Sequence, residues 1–274
     1  MARFKIFLEY QGTRYRGWQI QQNARTVQGE ISKALQAVFP GKEFEFSGAG
    51  RTDAGVHALL QVAHLDLDTR LAPAEVRRRV NDELPPDINI LRVEEAPSRF
   101  HARHHAVSRI YLYQVCRRRT AFGKNYVWWV PEDLDLQRMR EAADIFLGMR
   151  DFKSFTADEP EAKSTRVLVD RLEIEESGDL ILIRIQGSHF LWKMVRRIVG
   201  VLVEVGRDRL SIEDVRRFMQ FRSGRPAELT APSSGLFLES VLYEGESGEE
   251  DTQEGMVPLI RIRSHAPAAK SERD

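Results

Sequence analysis

Hydrophobic and polar positions follow two periods in the first half of the chain. One face of residues 3–10 carries only apolar side chains, which predicts a half-buried β-strand. Apolar residues then recur at helical spacing as far as Val38, and Thr26 stands where it can cap that helix. A second helix is predicted to begin at Pro73. The two periods together predict the element order β-α-β-β-α-β for this half.

The second half predicts a similar succession of strands and helices. Ser211 is followed three residues later by Asp214, which is the spacing of a capping box at the start of a helix. The predicted elements are a strand at residues 107–116, a helix at 135–147, a hairpin of 166–176 and 180–186, a long helix at 190–205, a helix from Ser211 through Phe221 and a strand at 236–242.

These elements predict an α+β fold in which helices lie on one face of a mostly antiparallel sheet. A basic, histidine-containing segment separates the two halves, so the predicted domains are residues 1–105 and 106–244. Residues 245–274 are acidic and contain glycine and serine, a composition that predicts a flexible tail.

The composition, 42% hydrophobic and 30% charged, is typical of a globular protein of the cytoplasm. No apolar run approaches the roughly 20 residues that a membrane helix needs, and the first residues lack the apolar core of a signal peptide. We therefore expect no membrane association. The single cysteine, Cys116, excludes an intramolecular disulfide and a cysteine zinc cluster.

The formal net charge of zero hides two segments of opposite sign. Residues 99–124 contain seven basic residues and no acidic one, together with three histidines and several aromatic rings, whereas residues 244–254 contain only acidic charges. A charge run is usually a solvated surface, but a basic stretch of this length that also carries rings favours a polyanion such as nucleic acid. For His101, His104 and His105, contact with phosphate is favoured over a metal site.

Residues 47–58, SGAGRTDAGVHA, form a glycine-rich turn between two predicted strands. A dinucleotide fingerprint would need a third glycine where Asp53 stands, and no Gly-Lys-Ser/Thr follows for a phosphate loop. The spacing leaves two alternatives, a plain surface turn and a loop that holds one carboxylate beside a cation.

This turn resembles the characteristic motif of the tRNA pseudouridine synthase A family. Other motifs of that family follow in the expected order, and the resemblance runs from about residue 3 to residue 243. They are YQGT at 10–13, GWQ at 17–19, FHAR at 100–103, RIYLY at 109–113, FKSF at 152–155, FLWKMVR at 190–196 and GLFL at 235–238. One departure is Trp192, which stands where a smaller aromatic residue is usual.

The resemblance implies two similar domains, each a mostly antiparallel sheet with helices on one face, with the catalytic cleft between them. It implies a cofactor-free isomerase that converts uridine to pseudouridine at positions 38 to 40 of the tRNA anticodon arm, and a homodimer. The expected catalytic residue is Asp53, with Arg196 placed against it. Tyr111 is expected to stack on the target uracil, and Arg51 to contact the RNA.

Further RNA contacts are expected from two segments. The polar loop after residue 10 offers Arg14, Trp18 and Gln19, although a solvated loop is nearly as well supported. The basic window offers the arginines Arg103, Arg109 and Arg117. We expect no metal ion, and we expect His57 to be structural.

Other functions remain open at this point. A non-catalytic RNA-binding protein or RNA chaperone would use the same basic surface, and a nucleotide-binding enzyme would use the glycines of residues 48–55 to hold phosphate. An RNA deaminase is disfavoured, because its His-x-Glu and Pro-Cys-x-x-Cys motifs are missing from the sequence.

Overall fold

The computed structural model describes residues 2–157 and 164–246, and its strands form one mostly antiparallel sheet. Eight of them run in the order β4-β1-β3-β10-β5-β9-β8-β7, while β2 pairs with β3 and β6 with β5. The strands are β1 (Ala2–Tyr10), β2 (Phe44–Gly48), β3 (His57–Leu67), β4 (Ile88–Ala96), β5 (Ala106–Cys116), β6 (Trp128–Trp129), β7 (Gly148–Asp151), β8 (Arg166–Ser177), β9 (Leu180–Gly187) and β10 (Leu236–Tyr243).

The helices confirm the α+β class. They are α1 (Val27–Val38), α2 (Pro73–Glu83), α3 (Leu136–Ala143), α4 (Met194–Gly206), α5 (Ile212–Gln220) and α6 (Arg225–Glu228), with short 3₁₀ helices at Gly12–Arg14, Asp144–Phe146 and Ser233–Gly235. Within the described residues, none of these helices has both the length and the apolar character needed to cross a membrane.

Local signals in the first half act as predicted. The Thr26 side chain accepts a hydrogen bond from the Gly29 amide and so caps α1. Pro73 is the first residue of α2, where its missing N–H costs no helical hydrogen bond. The order β1-α1-β2-β3-α2-β4 confirms the β-α-β-β-α-β prediction.

Two helices in the second half differ from the prediction. The long helix begins at Met194 and not at residue 190, because Lys193 adopts a left-handed backbone conformation with φ 63°. The helix predicted at 135–147 ends at Ala143 and continues only as a 3₁₀ turn. The capping box of Ser211 and Asp214 is confirmed, with both reciprocal hydrogen bonds present.

Strand β10 joins the two halves into a single sheet. It runs parallel to β3, with Phe237 opposite His57, and antiparallel to β5, with Leu238 opposite Tyr111. Strand β2 pairs with the other end of β3, so β2 and β10 share one edge of that strand. The loop between β2 and β3 therefore leaves the sheet where the halves meet. The domain boundary at residue 105 stays a prediction, as does the tail, which from residue 247 lies outside the described residues.

Two hydrophobic cores lie on the two sides of this junction. One contains apolar residues of β1, β3, α1 and α2, and the other contains residues of β5, β9, α3 and α4. Tyr111 packs against both cores. On β9, Ile181 and Ile183 face the second core, whereas Leu182 joins a small cluster on the reverse face of the sheet. The junction of the two cores is thus where a side chain from each half can meet.

Candidate active site

Asp53 lies in the loop between β2 and β3, and its neighbour Thr52 fixes the loop to the first core. The Tyr10 hydroxyl and the Thr52 hydroxyl are 2.8 Å apart in a buried hydrogen bond. The Trp18 amide donates to the Thr52 carbonyl at 3.1 Å. Hydrogen bonds therefore hold both the side chain and the carbonyl of Thr52, which fixes the backbone immediately before Asp53.

Two of the three glycines of this loop make room for other parts of the protein. A Cβ placed on Gly48 would lie 2.5 Å from the Trp18 ring, and one on Gly55, where φ is +80°, would lie 2.5 Å from the Ser233 hydroxyl. A Cβ on Gly50, in contrast, would meet nothing within 4 Å. Packing within the protein therefore accounts for Gly48 and Gly55, and the nucleotide-binding alternative keeps only Gly50.

Arg196, in the first turn of α4, contacts the Asp53 carboxylate. Its Nη1 atom lies 3.2 Å from Asp53 Oδ2, and its Nε donates to the Ala231 carbonyl at 2.7 Å. The Ala231 amide in turn donates to the Arg196 carbonyl at 3.0 Å. The two side chains keep 16% and 21% of their surface exposed. The pair is thus held from one side by the protein and stays open to a ligand from the other.

Helix α4 packs directly on the backbone segment that holds Arg196. A Cβ on Gly200, one turn after Arg196, would lie 1.7 Å from the Leu229 carbonyl oxygen. Only glycine allows this approach, which brings Ala231 within reach of the arginine.

Tyr111 lies on the helix-bearing face of β5, beside the Asp53 carboxylate. Its ring meets the edge of Phe190, with centroids 5.1 Å apart and planes at 86°. Burial and, to a smaller extent, the negative charge of Asp53 raise the pKa of Tyr111 to about 12, although Arg109 opposes the shift. The phenol therefore keeps its proton at neutral pH. Tyr113, two residues on, is fully buried and its hydroxyl donates to the Pro232 carbonyl at 2.8 Å.

Comparisons with known proteins cover most of this chain. The family model described as tRNA pseudouridine synthase matches residues 6–105 and 142–244. The chain is 41% identical over 247 residues to "tRNA pseudouridine synthase A" of Rhodopseudomonas palustris (strain BisA53), covering 89% of this chain and 100% of the relative. The chain belongs to the tRNA pseudouridine synthase family. It is therefore an isomerase that acts on tRNA.

Two further similarities were found. "tRNA pseudouridine synthase A" of Brucella ovis (strain ATCC 25840 / 63/290 / NCTC 10512) is 41% identical over 248 residues, covering 89% of this chain and 98% of the relative. A chain of "Crystal structure of the archaeal box H/ACA sRNP Nop10-Cbf5 complex" aligns with 11% identity and a TM-score of 0.34, covering 81% of this chain and 61% of that chain. That structural similarity is too low to bear on fold or function.

Three of the synthase's predicted RNA-contact residues are exposed near the Asp53 loop. Arg51 belongs to the loop itself, and Arg14 and Gln19 belong to the segment that packs against it. Within residues 2–157 and 164–246, no side-chain hydrogen bond or ion pair engages Arg51. Its guanidinium is thus available to a ligand beside Asp53.

The prediction for Trp18 needs correction. Its ring is 2% exposed and fills the space opened by Gly48, with Tyr10 and Phe46 against it at centroid distances of 5.9 and 6.0 Å. A ring buried in this way offers no face on which a base could stack. Trp18 instead supports the loop that carries Asp53.

The three arginines of the basic window have different surroundings. The Arg109 guanidinium donates to four carbonyl oxygens, which ties together segments of both halves and leaves it partly buried. Arg103 is exposed. Arg117 pairs with Glu176 at 3.0 Å and lies six strand residues from Tyr111, a distance of about 20 Å. Of the three, only Arg103 is both exposed and close in sequence to the junction.

His57 is a residue whose importance the sequence understated. The Gly12 amide donates to its Nδ1 at 3.0 Å, its Nε2 lies 2.9 Å from the Asn125 carbonyl, and its ring stacks on Phe237 at 4.7 Å. Burial lowers its pKa to about 4, so the ring is neutral and donates from Nε2. The structural role expected for His57 is thus a specific one, since it ties the loop after β1 to the Asp53 loop.

The cluster of histidines shows no metal geometry in the part of the chain that the structure describes. The rings of His101 and His104 are 4.2 Å apart, and His101 Nδ1 accepts from the Arg103 amide. Burial lowers the pKa of His101, and neighbouring positive charges lower it further. Contact between this cluster and phosphate stays a prediction.

Proposed function

We propose that this synthase isomerises uridines in the anticodon arm of tRNA and that Asp53 is its catalytic carboxylate. The observation that carries the proposal is the partly exposed pair of Asp53 and Arg196 beside the ring of Tyr111, at the junction of the two halves. A carboxylate, a cation and an aromatic hydroxyl that converge on one partly open point are typical of an active site.

The reaction suits a site of this composition. The bond between C1′ and N1 breaks, the bond between C1′ and C5 forms, the proton at C5 leaves and N1 gains a proton. No electron is gained or lost overall, so the residues need no redox cofactor. An ionised aspartate is a competent nucleophile, and a fixed arginine holds it in one orientation. Arg196 is itself held by Ala231, so the carboxylate cannot easily turn away.

Tyr111 is suited to hold the target uracil. Removing a base from its stack costs a few kcal/mol, and stacking on an aromatic ring returns about 1–3 kcal/mol. The Phe190 edge fixes the orientation of the Tyr111 ring. Arg51, with Arg14, Gln19 and Arg103, would bind the RNA backbone around the extruded nucleotide.

The decisive experiment uses unmodified tRNA transcripts with tritium at uracil C5. Wild type should release tritium, and Asp53→Asn should bind the same tRNA with equal affinity and release none. The matched control is Asp179→Asn, because Asp179 is also a partly exposed aspartate paired with an arginine, Arg118 at 3.1 Å. It should retain full release.

The outcomes separate the candidate functions. Release by Asp53→Asn at the wild-type rate would remove Asp53 from the catalytic role. If wild type bound tRNA and released no tritium from any transcript, a non-catalytic RNA-binding protein or RNA chaperone would replace the enzyme. Mapping of the modified uridines then tests the anticodon arm: modification confined to other arms would contradict the proposal.

We also propose that the enzyme acts in the cytoplasm as a homodimer. The family resemblance supports the dimer, and the Phe122 side chain, 98% exposed, is a hydrophobic group that a second copy would cover. Light scattering coupled to size-exclusion chromatography should give twice the chain mass of 31.5 kDa. A concentration-independent monomer would refute it.

A further inference from the structure

The segment between β9 and α4 connects two parts of the candidate active site. Within it, Phe190 packs against Tyr111 with the two ring planes near perpendicular, and just after it, in the first turn of α4, Arg196 binds Asp53. Its four intervening peptide units span at most about 14 Å between the Cα atoms of Trp192 and Arg196. The Trp192 backbone therefore lies within about 14 Å of the Arg196 backbone, in the same part of the fold as the candidate active site.

Trp192 carries an exposed side chain. Its indole is 51% exposed, which is unusual for the largest aromatic residue, whereas Leu191 and Met194 on either side pack into the second core. The Trp192 carbonyl accepts a hydrogen bond from the Ala157 amide at 3.0 Å. The backbone is thus anchored, and about half of the indole surface is exposed to solvent.

Lys193 places a positive charge beside this ring. Its ammonium lies 5.0 Å from the indole centroid, and its own backbone has the left-handed conformation that a lysine rarely adopts. Backbone strain of this kind costs about 1–3 kcal/mol and concentrates at functional sites. The conformation ends the loop and starts α4, whose first turn contains no acidic residue.

We propose that Trp192 and Lys193 form a binding subsite for a nucleotide next to the target uridine. The indole stacks on the base of that nucleotide, and Lys193, at the positive end of α4, binds its phosphate. A planar ring combined with a cation is the chemistry that recognises a single-stranded nucleotide without reading its sequence. The subsite rests on the proposed function, since it takes the neighbour of the base that Tyr111 holds.

The experiment uses an anticodon stem-loop that carries 2-aminopurine on one side of the target uridine and then, in a second RNA, on the other. Binding to wild type should quench the fluorescence of one of the two RNAs by stacking. Trp192→Ala should abolish that quenching and weaken binding by about 5- to 100-fold, and Trp192→Phe should retain most of both.

The chain contains a matched control for this substitution. Trp129 is 44% exposed and also has a cation beside its ring, Arg119 at 5.8 Å, but it pairs with the far end of β5. Trp129→Ala should leave quenching and affinity at wild-type values. Lys193→Gly keeps the left-handed backbone available and removes the side chain with its charge, and it should reduce the slope of log Kd against log salt by about 0.7.

The subsite would be overturned if Trp192→Ala showed the same quenching and affinity as wild type. It would also be overturned if Trp192→Ala and Trp129→Ala lost quenching and affinity to the same extent. An unchanged salt slope in Lys193→Gly would remove the phosphate contact. Failure of the proposed function is distinguishable, because wild type would then form no pseudouridine in a stem-loop that it nevertheless binds through Trp192.

Discussion

Substitution of Gly200 by alanine tests whether α4 positions Arg196 through the backbone that it packs against. The new Cβ would lie 1.7 Å from the Leu229 carbonyl oxygen, where ordinary contact begins at 3.4 Å. The helix and the segment at 229–231 must therefore separate by about 1.7 Å. Both hydrogen bonds between Arg196 and Ala231 depend on that separation.

The expected change in the free energy of unfolding combines one stabilising and two destabilising contributions. Alanine favours the helix by about 1 kcal/mol relative to glycine. Overpacking costs about 1–3 kcal/mol, and each of the two weakened hydrogen bonds costs about 0.5–1.5 kcal/mol. We expect a net destabilisation of about 1–5 kcal/mol, or a fall in Tm of about 2–20 °C. Because a displacement near 1 Å can cost about 100-fold in rate, kcat should fall by about 10- to 100-fold.

Thermal unfolding and tritium release measure the two effects separately. Gly206→Ala is the control in the same helix, because its Cβ would meet the flexible Met139 side chain, 2.7 Å away at Sδ, and not the backbone beside the site. It should lose some stability and keep its kcat. A Gly200→Ala variant with raised Tm and unchanged kcat would refute the reasoning, since helix propensity alone would then account for the substitution.

Three further predictions concern groups around the junction. The pKa of His57 is about 4 in the folded protein and 6.5 in the unfolded chain, so the neutral ring stabilises the fold fully above pH 6.5. As the pH falls from 6.5 to 4, up to about 3 kcal/mol of this stability is lost. Urea titrations at several pH values should show this loss, and the loss should be smaller in His57→Asn. Thr52→Val should lower the free energy of unfolding by about 1 kcal/mol and lower kcat. The loss of stability should be smaller in a Tyr10→Phe background, because the hydroxyls of Tyr10 and Thr52 are hydrogen-bonded to each other. Equal losses in both backgrounds would contradict this coupling. Arg184→Met should lower the free energy of unfolding in urea by about 2–3 kcal/mol without changing kcat. The reason is that the Arg184 guanidinium donates two hydrogen bonds to Glu239, at 2.8 and 2.6 Å. An unchanged free energy of unfolding would show that this ion pair contributes nothing to stability.

Helices and strands with a clear hydrophobic period were predictable from the sequence. Residues with an unusual backbone conformation were not. The alternation in β1 and the Thr26 cap of α1 mark their elements directly. Lys193 interrupts an otherwise helical stripe because its left-handed conformation is imposed by the surrounding packing, which no local pattern reports. The start of α4 was therefore placed four residues too early.

The candidate site was only partly predictable. Only the family resemblance predicted that Asp53, Arg196 and Tyr111 share one site. The residues lie far apart in the chain, so no local pattern indicates that they are close in the fold. Trp18 was misplaced, since an aromatic residue in a polar loop suggests an exposed ring, and the space that buries it is opened by Gly48 some thirty positions later. Burial of this kind is a property of the fold and leaves no local signal.

The position of β10 has a consequence for the order in which the enzyme is made. Synthesis from the N-terminus produces β3 and β5 long before the strand that lies between them. Until Leu236–Tyr243 emerges, His57 and Ala58 of β3 and the facing residues of β5 lack the strand that joins them. The nascent chain therefore holds Asp53 and Tyr111 on elements that are not yet joined. With the proposed role of Asp53, we expect activity only after β10 inserts, so an incomplete chain released before that point carries the Asp53 loop without an assembled candidate site.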